Sequence, residues 1–127
     1  MRRIAPLLLI ASICCSDRGA DVKKDAALHS AQLVESTRAL WIKYKPPSTK
    51  EITTSELPAE IRALTPTRVT AADTGVYIFI YTNYGYVTGV FVRFDPSFIP
   101  PGAAPPDSDQ QSFEELGPNV YWFSTPR

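Results

Sequence analysis

Past position 15 the 127-residue sequence contains no cysteine, because both of its cysteines, Cys14 and Cys15, stand side by side near the start. A domain built from the residues that follow therefore has no internal disulfide. There is one histidine, His29. A zinc site needs three or four His, Cys or acidic ligands, so a site resting on imidazole or thiolate donors is excluded from that domain. No apolar run approaches the roughly twenty residues that a membrane-spanning helix needs. Nor does one sign of charge prevail, with 13 Lys and Arg against 13 Asp and Glu. That balance argues against a nucleic-acid binder, whose footprint is a clustered basic surface.

What is present begins with Met1-Arg2-Arg3, an apolar stretch from Ile4 to Ile13, and a small-residue exit through Cys14, Cys15 and Ser16 ahead of Asp17. A cationic start, a short apolar core and small residues at the exit are the three parts of a secretory signal. The expectation is a signal peptide over 1–16 and one exported domain over 17–127. An apolar run ending in cysteine also resembles the signal of bacterial lipoproteins. That resemblance implies lipidation of Cys15, which has a small neighbour in Cys14, and retention at a membrane. Ordinary cleavage after Ser16 remains the alternative, with release into the periplasm or envelope. Without Arg2 and Arg3 the 13 basic residues fall to 11 against 13 acids, a net charge of −2.

From Asp21 to Tyr44 there is neither glycine nor proline. Val22, Ala26, His29, Leu33, Thr37, Leu40 and Tyr44 recur at steps of three and four, the period of one helix face. A single long amphipathic helix is predicted, stopped by Pro46-Pro47. A polar loop follows. Leu57, Ile61 and Leu64 then mark a two-turn helix, with Thr53 and Glu56 spaced as a capping box.

Beyond Pro66 the period changes to that of strands. Thr67–Ala72, Val76–Thr82 and Tyr86–Phe94 are separated by turn signals at Asp73-Thr74-Gly75 and Asn83-Tyr84-Gly85, so an antiparallel meander is expected. The segment 95–111, with five prolines, reads as a long surface loop. Ser112–Leu116 reads as one helical turn and Asn119–Ser124 as a last strand. The fold class is therefore α+β, with a long helix, a short helix and about four strands. The pieces LPAEIRALTPTRV at 57–69, Gly75–Ile78, Gly89–Val92 and Val120–Trp122 resemble short bacterial proteins without an assigned activity. That resemblance implies a fold and brings no site, cofactor or partner with it.

Alternation places Val76, Ile78 and Ile80 on one sheet face and Tyr77, Phe79 and Tyr81 on the other. The aliphatic face is expected to meet the helices. The aromatic face, with Tyr86 and Tyr121 added, is the candidate binding face, since rigid rings give contact area at low entropic cost. Coverage of that face by the long loop or by the second helix is the competing arrangement. The remaining chemistry is sparse. His29 sits in the helix stripe with no nucleophile motif to serve, and Asp107, Asp109, Glu114 and Glu115 fall in or beside a solvated loop. Lys43, Lys45 and Lys50 could touch anionic lipid if Cys15 is lipidated, but Glu51 and Glu56 dilute the patch and a solvated loop is the favoured reading.

These residues predict a non-catalytic envelope domain that binds a protein or glycan, needs no cofactor and binds no nucleic acid. A small enzyme using carboxylates and tyrosines, and a purely structural component, are the alternatives. The regular helix stripe leaves dimerisation open.

Overall fold

The computed structural model describes residues 18–44, 50–83, 86–102 and 111–126. The signal segment with Cys15, the Pro46-Pro47 stop, Lys45, Tyr84, Asp107 and Asp109 lie outside the described residues.

The helical stripe is buried as its period requires: Val22, Ala26, Leu33, Thr37 and Leu40 are inside, Tyr44 is half-buried, and His29 is exposed. Thr37 is the polar member, and its Oγ1 donates to the Leu33 carbonyl at 2.7 Å, so its hydroxyl is satisfied within its own helix. The single long helix is corrected to two, α1 (Arg18–Leu28) and α2 (Ser30–Tyr44), interrupted at His29. Backbone bonds from His29 N to the Asp25 carbonyl and from Leu33 N to the His29 carbonyl, each 3.0 Å, carry the stripe across the break. The packing partners widen across this break: α1 rests on β4, β5 and β6, whereas α2 reaches from β2 to β6 and also meets α3. The two-turn helix predicted over 57–64 is shortened to the single turn α3 (Ala59–Arg62), preceded by a 3-10 turn (Thr54–Glu56), with Leu57, Ile61 and Leu64 buried.

The strands number six among the described residues: β1 (Lys50–Ile52), β2 (Arg68–Ala71), β3 (Gly75–Asn83), β4 (Tyr86–Arg93), β5 (Ser112–Gly117) and β6 (Val120–Pro126). All neighbours are antiparallel in the order β1-β2-β3-β4-β6-β5. The four-strand expectation is thus corrected at both edges. Lys50–Ile52 read as loop because a three-residue polar strand carries no period of its own. Ser112–Leu116 read as a helical turn because Glu and Leu favour helices, yet pairing with β6 supplies its backbone partners.

Helices cover one face of the sheet. There the cross-strand row Ile52, Val69, Ile78, Val90, Trp122 is continuous through the register, and a second row joins Ala71, Val76, Val92 and Val120. With the buried stripe these form the main core. Trp41 from α2 stacks on Phe94 at 5.2 Å and donates its Nε1–H to the Ala72 carbonyl at 2.8 Å, tying the helix to the β2–β3 turn.

The C-terminal end of α2 is tied down differently. Tyr44 donates its hydroxyl to Glu56 Oε1, Lys43 Nζ reaches the same oxygen at 3.0 Å, and Thr53 Oγ1 donates to Oε2 at 3.1 Å. Thr53 therefore meets Glu56 side chain to side chain and makes no capping bond to the backbone, which corrects the capping-box expectation. The Tyr44 hydrogen bond first, then those from Lys43 and Thr53, hold the Glu56 carboxyl at about 2, against an ordinary 4.5. Because the folded value lies below the ordinary one, this contribution is complete above about pH 4.5 and disappears as pH falls toward 2. Acid titration followed through the Tyr44 ring resonances should show a transition near pH 2 that is absent in Glu56→Gln. An unchanged titration in that variant would show that Glu56 is not the group responsible.

Candidate functional site

The face of the sheet away from the helices is built from rings. Phe91, Phe113 and Phe123 are buried there, with Tyr77, Phe79, Phe98 and Tyr121 packed around them. The register sets two rows. Thr70, Tyr77, Phe91 and Tyr121 lie across from one another, and beside them run Arg68, Phe79, Gly89, Phe123 and Phe113. In the second row Gly89 contributes no side chain, and the rings of Phe79 and Phe123 meet edge to face at 5.4 Å from either side of it.

One end of this face is roofed. Arg93, at the end of β4, donates Nη1–H to the Phe98 carbonyl at 3.0 Å and grips Asn119 Oδ1 through Nε (3.2 Å) and Nη2 (2.9 Å). The following turn is fixed by Asp95, which accepts from the Ser97 amide at 2.9 Å and the Ser97 hydroxyl at 2.7 Å. Phe98 is thereby set edge-on against Phe91 and Phe113, at 5.7 and 6.0 Å.

The other end holds a cavity of about 530 Å³, floored by Tyr77, Phe79 and Phe123 and rimmed by Glu51, Arg68, Thr70, Gln111 and Thr125. Its volume lies within the roughly 300–1,000 Å³ of small-molecule sites. Tyr77 and Phe79 are half-buried, so part of each ring borders the opening. The Arg68 guanidinium lies over the Phe79 ring at 4.3 Å, which fixes a flexible cation while leaving its N–H edges at the rim. Burial pushes the Tyr77 phenol above its ordinary value, opposed by a hydrogen bond with the Thr74 side chain.

The predicted face is therefore divided. Tyr77, Phe79 and Tyr121 lie together on it, but Tyr81 does not, because an irregularity between Phe79 and Tyr81 shifts the register and turns Tyr81 toward the helix-side core. Tyr86 falls by alternation on the side of Thr88 and Val90. Cys15 lies outside the described residues. Of the acids near the long loop, Glu114 turns to the helix side and pairs with Lys23 at 2.6 Å, while Glu115 alternates to the other face. His29 borders a smaller hollow of about 220 Å³ with Asp25 and Glu60. Among the described residues no three His, Cys, Asp or Glu gather as a metal set.

Sequence reasoning missed the rim. Arg68 and Thr70 alternate with Val69 and Ala71, so their parity alone opposes them to the aliphatic face, and Thr125 follows Phe123 by the same rule. Nothing local marks Glu51 or Gln111.

No family model, curated protein or solved structure matches this chain. The site's chemistry rests on its own residues. It joins an apolar aromatic floor to hydroxyl, amide, carboxylate and guanidinium groups, an arrangement suited to holding a ligand. Among the described residues, no helix is long and apolar enough to cross a membrane.

Proposed function

We propose that this protein is an exported, non-catalytic binding domain of the cell envelope, anchored by lipid on Cys15, and that it engages its envelope partner through the aromatic face of its sheet. The observation that carries the reading is the cleft over Tyr77 and Phe79, with Arg68 laid on the ring of Phe79 at its rim. Two features support a binding role. The cleft lies opposite the helices, so occupancy leaves the main core undisturbed. Its floor is braced from the side by Phe91, the cross-strand partner of Tyr77, whose ring lies 4.5 Å from the Tyr77 ring, giving a rigid surface of the kind that binds at low entropic cost.

The test is co-sedimentation of the purified protein with washed envelope material, comparing wild type with Arg68→Ala. Arg68 is exposed and has no ion pair among those described, so the variant should fold normally. Its retention should fall by about tenfold, the usual loss for a contact worth about 1.4 kcal/mol. Equal retention of the folded variant would remove the cleft as the binding surface. Mass measurement of the N-terminus tests the anchor, and an unmodified Cys15 would remove that part.

A further inference from the structure

We infer that the cleft takes an uncharged glycan segment, an inference that rests on the binding reading above and names its ligand. The first argument is charge. The rim carries one cation, Arg68, and one anion, Glu51, and no ion pair joins them among those described. An anionic ligand would lose at Glu51 what it gained at Arg68, and a cationic one the reverse, so the site favours a neutral ligand.

The second argument is hydrogen-bonding character. A sugar hydroxyl both donates and accepts. Around the floor Arg68 supplies donors only, Glu51 acceptors only, and Thr70, Gln111 and Thr125 both. Among the rings below, Phe123 is fully buried and Phe79 is overlaid by Arg68, so the half-buried ring of Tyr77 is the apolar surface offered to the C–H face of a pyranose. The third argument separates a glycan from an extended peptide. Peptides that add to sheets do so at an edge, where backbone groups are unpaired. The floor of this cleft lies on β3 and β6, inner strands whose backbone groups are occupied by the ladder, and the edge strand β1 contributes only the Glu51 side chain at the rim, so recognition over the floor falls to side chains. The strands divide the chemistry between them: β1 brings a carboxylate, β2 a guanidinium and a hydroxyl, β3 two rings, and β6 a ring and a hydroxyl.

The experiment titrates the protein with neutral trisaccharides (chitotriose, cellotriose, maltotriose), an anionic sialyl-lactose and a cationic glucosamine trimer, following the Tyr77, Phe79 and Phe123 ring resonances. At least one neutral trisaccharide should shift these signals saturably, with little change in affinity between low and high salt. Glu51→Ala and Arg68→Ala should each weaken it about tenfold. The signs decide the matter: for an anion Glu51→Ala would tighten binding, for a cation Arg68→Ala would, and either result overturns the inference. If no neutral sugar perturbs the cleft while envelope material still sediments the protein in an Arg68-dependent way, the glycan is wrong and the binding face stands. If Arg68 has no effect in either experiment, both fail.

Discussion

Phe123→Ala is expected to destabilise the protein by about 3–5 kcal/mol, the cost of truncating a buried aromatic side chain. The ring is fully buried and lies in β6 directly across from Gly89. It makes edge contacts with Tyr77 at 5.2 Å and Phe79 at 5.4 Å, and a tilted contact with Phe113 at 6.5 Å. Because Gly89 has no side chain, the position directly across on β4 cannot fill the space its loss leaves, and the cavity term should be large. A domain of this size has only about 5–15 kcal/mol in total. Thermal unfolding should therefore move down by at least about 10 °C. Phe123→Leu, which retains most of the volume, should lose well under half as much. If the alanine and leucine variants unfold together near the wild-type temperature, the ring cluster is not a second core.

Gly89→Ala should cost at least about 2 kcal/mol, in the upper part of the range for added atoms in a packed interior. A methyl group there would collide with the Ile78 carbonyl oxygen, with the Ile78 carbonyl carbon 2.9 Å away. The obstacle is backbone in the central β3–β4 pair, next to the register irregularity after Phe79, so no rotamer change relieves it. The Phe79 Cα lies 3.0 Å from the same methyl position, so the backbone that carries that ring is pushed as well. Urea denaturation measures the loss, and a change below about 0.5 kcal/mol would contradict the close approach of the two strands. The floor of the cleft thus depends on a residue with no side chain, and ring resonances of Phe79 and Phe123 should report its distortion.

Much of the helix side is legible in the sequence. The three-and-four spacing from Val22 to Leu40 needs only the geometry of a helix, and the buried residues follow it. The alternation of Val76, Ile78 and Ile80 against Tyr77 and Phe79 needs only the two-residue period of a strand. Periodicity failed where tertiary contact interrupts it. A stripe that continues in phase across His29 gives no sign that the helix divides there. Tyr81 continues the written alternation, but an extra residue in β3 turns it over to the other side, and a bulge leaves no mark in a period-two pattern.

The cleft shows the same limit more sharply. Tyr77 and Phe79 were visible as ring-bearing positions, whereas Glu51, Gln111 and Thr125 reach them from strands and a loop end far away in the chain. The sequence by itself determined the α+β class, the helix face that is buried and the separation of an aliphatic from an aromatic sheet face. These rest on local periods that any pairing must respect. Only the tertiary structure decided that β1 and β5 extend the sheet to six strands, that Phe98 roofs one end of the aromatic face, and that Arg68 and Glu51 stand at the rim of the other. Those outcomes depend on register between distant segments, and register is fixed by the partner strand.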